Sequence, residues 1–139
     1  MDAAVVWKKG LTFTGKGLAT GFSLPLGADP KVGGDNDGFR PTELILVGLA
    51  GCTAMDVISI LLKKRISVTG FEVKSHGERS SQEPRGFTSF TLEYIVKGKN
   101  IDHADVERAV ELSETKYCSV MATLRCAGPV TRTITVVAE

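Results

Sequence analysis

Apolar and polar positions change rhythm several times along this chain. Ala3 to Trp7 and Leu11 to Thr14 are short runs of β-forming residues separated by Lys8-Lys9-Gly10, which predicts a hairpin with glycine at the turn. Gly15, Gly17 and Gly21 interrupt the pattern before a third run, Phe22 to Leu26. The stretch from Gly27 to Phe39 is rich in Gly, Asp, Pro and Asn and reads as a loop. From Pro41 to about Arg65 the rhythm becomes helical. Pro41 suits the first helical position, Glu43 the first turn, and Lys63, Lys64 and Arg65 the last, all in the sense the helix dipole favours. Thr69-Gly70 is expected to close this segment. Phe71 to Gly77 and Phe87 to Lys97 then alternate apolar and polar residues, which predicts two half-buried strands joined through a polar turn, Glu78 to Gly86. Asp102 reads as an N-cap, with Asp105 as a short capping-box partner, for a helix that puts Val106, Ala109, Val110 and Leu112 on one face. A second helical piece runs from about Lys116 to Leu124 and ends near Gly128-Pro129. Val130 to Val137 is a last strand. The order βββ-α-ββ-αα-β indicates an α+β fold with mainly antiparallel sheet around a long buried central helix.

That helix carries the strongest signal. Leu44, Ile45, Leu46, Val47, Leu49, Met55, Val57, Ile58, Ile60, Leu61 and Leu62 cover every side of it, so protein should surround it on most faces. Gly48 and Gly51 each cost about 1 kcal/mol relative to alanine inside a helix. With Ala50 and Ala54 they bare the backbone and invite close approach, by another element or by the same helix of a second copy. Leu44 to Leu62 is near the ~20 residues that span a bilayer. Asp56 stands in the middle, where a charge costs about 2.5–3.5 kcal/mol on insertion scales, and the flanking segments read as soluble strands. The expectation is a core helix and no membrane.

The chain of 139 residues is long enough for one domain, 1–139, with a real core, and its formal net charge of +1 gives no electrostatic case for nucleic acid. The start, Met-Asp-Ala-Ala-Val-Val-Trp-Lys-Lys, has no leader pattern, which predicts a cytoplasmic protein. Three cysteines at wide spacing, Cys52, Cys118 and Cys126, do not make a disulfide scaffold. In a reducing compartment a pair among them is more plausibly catalytic or redox-active.

Motifs for other chemistry are missing. There is no Cys-x-x-Cys, His76 and His103 stand apart, and any metal cluster would have to be assembled from scattered single residues, so no metal or cofactor is expected. Gly15-Lys16-Gly17 lacks the rest of a phosphate motif. Residue type alone favours a structural Cys52, a small hydrophobe in an apolar helix. Cys118 falls in the first turn of its predicted helix, where the dipole favours a thiolate. Cys52, about three turns into its helix, needs a cation or donor from elsewhere, and Asp56 one turn on opposes its ionisation.

Pro41-Thr42-Glu43-Leu44-Ile45-Leu46 running into Leu49-Ala50-Gly51-Cys52-Thr53, followed by Leu112-Ser113 and Lys116-Tyr117-Cys118-Ser119, resembles the OsmC/Ohr family, most closely its YhfA-like branch. Gly77-Glu78-Arg79 and the element order extend the resemblance over nearly the whole chain. It implies an intertwined homodimer whose long helices pack centrally. It also implies thiol peroxidase chemistry on organic hydroperoxides: Cys52 as the peroxidatic thiolate, Cys118 closing a disulfide with its sulfenic acid, and a small dithiol such as dihydrolipoamide as reductant. Cys126 matches neither motif and is read as structural.

The chain departs from the family's peroxidases in two places. Their N-terminal arginine is absent, since no arginine precedes Arg40 and Lys16 is the basic residue of the corresponding segment. Their glutamate directly after the helix proline is replaced by Thr42, with Glu43 one position later, about 13 Å along the axis from Cys52 and on the opposite side. Arg40, Arg79 or Lys16, from either subunit, are the candidate substitutes. The expected site is therefore Cys52 and Cys118 with Arg40 and Glu43 in support. The competing expectation is a non-enzymatic dimer that binds a small hydrophobic ligand in an interface cleft, and a purely structural or regulatory dimer is a third.

Overall fold

Strands β1 (Ala3–Lys9), β2 (Thr12–Gly17) and β3 (Ser23–Leu26) form an antiparallel sheet in that order. Gly10, at φ 46°, turns the first hairpin, and the Trp7 indole Nε1 donates to its carbonyl at 3.0 Å. The glycine-rich loop that follows is built, not slack. It contains one 3₁₀ turn, Pro30–Val32, whose N-cap Asp29 accepts from the Lys31 amide at 2.8 Å, and it returns alongside β3 through a Leu26–Phe39 bridge. A Cβ at Gly34 would stand 2.1 Å from the Ala28 carbonyl oxygen, so only glycine permits that approach. These strands, the loop and the helix start form one of two compact units, Met1–Ile45; the other is Leu46–Glu139, and this computed structural model describes all residues 1–139.

Helix α1 (Pro41–Lys63) runs through the boundary. In the second unit it is followed by β4 (Val68–Arg79), β5 (Phe87–Gly98), α2 (His103–Leu112), a π-helical turn (Ser113–Tyr117), α3 (Ser119–Leu124) and β6 (Val130–Ala138). The sheet order is β4-β5-β6. β4 and β5 are antiparallel, whereas β6 lies parallel to β5, Phe90 opposite Val130 through Gly98 opposite Ala138. A parallel neighbour needs a long crossover, and α2 with α3 supplies it. The expected α+β order stands, with three of the four strand pairings antiparallel.

The core of this unit is Leu49, Val57 and Leu61 of α1, Phe90, Leu92, Tyr94 and Val96 of β5, Val106, Ala109 and Val110 of α2, with Cys118 and Met121. Alternation along β5 selects its four even-numbered members, as the pattern predicts. Asp102 caps α2, accepting from the Ala104 amide at 2.9 Å. Asp105 does not close a capping box; its carboxylate pairs with Lys64 instead.

One expectation for α1 is revised. The helix ends at Lys63 with Arg65 in the left-handed region, φ 60°, and Thr69-Gly70 already lie in β4, at a bulge. Helices commonly end on a left-handed residue, and an arginine takes that place here where glycine was expected. The helix is not enclosed by its own chain. It buries only the stripe Leu49, Thr53, Val57, Leu61, at every fourth position, while Met55 stays 73% and Val47 54% exposed. By length and composition it also meets the requirement for crossing a bilayer.

Candidate functional site

The burial stripe of α1 carries a hydroxyl among its apolar residues. Thr53 is fully buried, and its Oγ1 lies 2.8 Å from the Tyr94 hydroxyl and 2.9 Å from Ser113 Oγ. Ser113 in turn donates to Asp56 Oδ2 at 2.9 Å. One proton per hydroxyl fixes the direction of the chain. Ser113 spends its proton on Asp56, so it accepts from Thr53, and Thr53 therefore accepts from Tyr94. Three buried hydroxyls are satisfied in series and end on one carboxylate; no buried side-chain polar atom is left without a partner. Burial, opposed by the Thr53 hydrogen bond, pushes the Tyr94 hydroxyl up to about 12.

The thiols meet beside that carboxylate. Cys52 and Asp56 share one face of α1 by their spacing of four residues. Cys118 reaches the same place from the end of the π turn. It is the N-cap of α3, not a residue of its first turn as expected: its backbone is extended, and its sulfur accepts from the Met121 amide at 3.3 Å. The two sulfurs and an Asp56 carboxylate oxygen all lie within 4.8 Å of one another, and both cysteines are free. The helix-start advantage expected for Cys118 is overridden by its surroundings. With 3% of its surface exposed, it is pushed from the ordinary 9.0 up to about 11. Desolvation is the largest cause, the Met121 amide works against it, and the Cys52 hydrogen bond and the negative charges of Cys52 and Asp56 add to it. A thiol so held keeps its proton at neutral pH and must give it up as its sulfur attacks.

Arg40 and Glu43 belong to the N-terminal unit, and each has a local task there. The Arg40 amide donates to Glu43 Oε2 at 2.9 Å, one half of a capping box. The Arg40 guanidinium donates to the Gly38 carbonyl at 3.2 Å and to Asn36 Oδ1 at 2.6 Å, with Asp29 at 3.9 Å. Of the other candidate cations, Arg79 donates through Nε to the Arg85 carbonyl at 2.8 Å. Cys126 is exposed and so fills no structural place in the core.

Sequence reasoning set Asp56 beside Cys52 as a charge opposing its ionisation, but it missed the hydroxyls of Thr53, Ser113 and Tyr94 that hold that carboxylate. The hydrogen-bonded partners stand 41 to 60 positions apart, and no local motif joins them. Beyond Asp56 opens a cavity of about 420 Å³ lined by Asp56, Ser59, Ile60, Lys63, Lys64, Leu112 and Tyr117.

This arrangement sits on a known scaffold. The sequence profile of the OsmC-like protein family matches residues 34–133, and the chain belongs to that family. It is 42% identical over 138 residues to Protein YhfA of Escherichia coli strain K12, covering 99% of both chains. Among solved structures it resembles a hypothetical protein from Aquifex aeolicus VF5, at 27% identity with a TM-score of 0.86, over 99% of this chain and 96% of that one. An organic hydroperoxide resistance protein OsmC from Legionella pneumophila shares the fold at 16% identity with a TM-score of 0.72, over 96% and 95% of the two chains.

Proposed function

We propose that this protein is a cytoplasmic, dimeric, thiol-dependent peroxidase for organic hydroperoxides, serving an oxidative stress response. The observation that carries the reading is the approach of Cys52 and Cys118 to within 4.8 Å, from elements 66 residues apart in sequence. The name of the Legionella relative points to the same substrate class. The Cys52 thiolate attacks the distal peroxide oxygen, the O–O bond breaks, and the alkoxide leaves as alcohol once protonated, with Cys52 left as a sulfenic acid. The Cys118 sulfur then displaces hydroxide from Cys52, its own proton completing water, and a Cys52–Cys118 disulfide remains. At most about 2.8 Å separates the present sulfur positions from bonding distance. A small dithiol such as dihydrolipoamide reduces the disulfide and is itself oxidised to a cyclic disulfide. Because burial holds the proton on Cys118, that proton has to pass to the leaving hydroxide as the sulfur attacks.

The outward face of α1 supports the dimer. Ile45, Val47, Met55 and Leu62 are exposed in one chain, and the Cβ positions of Gly48 and Gly51 meet nothing within 4 Å. A second α1 laid there would cover them. Such a dimer is also where the missing positive charge belongs: we assign it to Arg40 of the second copy, fixed at its helix start with Glu43. The test is consumption of an alkyl hydroperoxide with a dithiol donor. Wild type turns over, Cys52→Ser does not, and Cys118→Ser performs one turnover and stops at the sulfenic acid. Equal inactivity of wild type and Cys52→Ser overturns the enzymatic reading. The exposed apolar face of α1 favours a second reading, binding of a small hydrophobic ligand in an interface cleft between two copies, without chemistry. It requires ligand-induced stabilisation that survives both serine variants.

A further inference from the structure

We propose that Cys52, Asp56 and Cys118 form a binding site for a thiophilic divalent cation, with zinc as the chemical type. The donor set is two sulfurs and a carboxylate oxygen, mutually within 4.8 Å. Tetrahedral zinc, with Zn–S bonds of about 2.3 Å, holds its sulfurs about 3.8 Å apart, so the cluster needs to contract by roughly 1 Å at most. Thiolate pairs select zinc and its soft neighbours over magnesium or calcium.

The surroundings are those of a metal site. Ser113 donates to Asp56 and fixes its carboxylate, backed by Thr53 and Tyr94, and metal-bound carboxylates are held in this way by outer partners. The Met121 amide points at the Cys118 sulfur, where it would stabilise a thiolate. Three protein ligands leave a fourth position for water, and Asp56 also lines the cavity of about 420 Å³. Electrostatics point the same way: a carboxylate beside two thiols disfavours a free thiolate but attracts a cation. On binding, the metal forms two metal–sulfur bonds and one metal–oxygen bond, and the protons of both thiols go to solvent.

This assignment does not rest on peroxide reduction, since an inert dithiol of the same geometry binds metal equally. Where both hold, metal and disulfide compete for the same sulfurs. The experiment is a Co²⁺ titration of the phosphine-reduced protein under anaerobic conditions, followed by Zn²⁺ displacement. The expected result is a thiolate-to-cobalt charge-transfer band with four-coordinate d–d intensity, saturating at one Co²⁺ per chain and abolished by Zn²⁺. Cys52→Ser and Cys118→Ser should lose the band, Cys126→Ser should keep it, and Asp56→Asn should bind at least about tenfold more weakly. Ser113→Ala, its fold checked by circular dichroism, should weaken binding about 10- to 100-fold through the carboxylate it orients. Absence of the band in wild type overturns the proposal. So does its loss in Cys126→Ser, or full affinity in Asp56→Asn.

Discussion

The two compact units of this chain are stabilised in different degrees by their own residues. Leu46–Glu139 holds the entire buried apolar core, from Leu49 to Met121. Met1–Ile45 contains no buried apolar side chain; Val5, Trp7, Leu18 and Phe22 are all exposed, Trp7 by 64%. Its β-ladders, the Asp29 and Glu43 caps and the glycine-shaped loop define a shape. A shape without a core is marginal alone, because backbone hydrogen bonds contribute little net stability without apolar burial. The contrast means that the N-terminal unit and the outer face of α1 await a cover, whereas the rest of the C-terminal unit is closed around its own core. The proposed second copy is that cover, and substitutions in the two regions should therefore report different things.

The largest effect is expected in the complete core. Leu92→Ala empties a fully buried position on β5 and should cost about 2–5 kcal/mol in denaturant unfolding. Met55→Lys is the counterpart on the uncovered face. In one chain it touches solvent and should change stability by under about 0.5 kcal/mol. In the proposed dimer it puts an ammonium into an apolar seam. We expect wild type to elute at about twice its 14.8 kDa chain mass, and Met55→Lys at about the chain mass. A wild-type monomer, or a variant that still dimerises, would remove α1 from the interface.

How much of this was legible in the sequence differs between the same two regions. Local signals sufficed for the N-terminal strands, because glycine marks each turn, and for the start of α2, because an aspartate caps it. The alternation on β5 gave the core row. Strand direction was not legible: Thr131, Thr133 and Thr135 alternate with inward residues whichever way β6 runs. One of those inward residues, Arg132, pairs with Glu114. Nor could periodicity reveal the π turn, which leaves Cys118 as an extended N-cap beyond a helix and not inside the next one. The thiol pair was found through a family resemblance, while the hydroxyl chain that holds Asp56 needed the fold. Each link there is made by tertiary packing between elements that carry no shared motif.

The hydroxyl chain offers a third prediction, intermediate in size. Thr53→Val keeps the volume but leaves Tyr94 without its acceptor and Ser113 without a donor, at about 1–3 kcal/mol. It lies on the buried stripe of α1, so the loss should appear in unfolding and leave the dimer mass unchanged. Asp102→Ala should cost about 1 kcal/mol, the usual value of an N-cap.

The last prediction concerns pH. Both Cys118 and Tyr94 have folded-state pKa values above their ordinary ones, about 11 against 9.0 and about 12 against 10.0. The unfolded chain therefore releases these protons first as pH rises, and ionisation draws the equilibrium towards it. The stability that neutral Cys118 contributes is whole below pH 9, falls as pH climbs from 9 towards 11, and is gone above that. Tyr94 repeats the loss between 10 and 12. Thermal unfolding measured in steps from pH 8 to 11 should show a melting temperature that declines in wild type and declines less steeply in Cys118→Ser, whose hydroxyl can still accept from Met121 but does not ionise. Equal slopes would mean that the Cys118 thiol is solvated in the folded protein, against the 3% exposure of that residue.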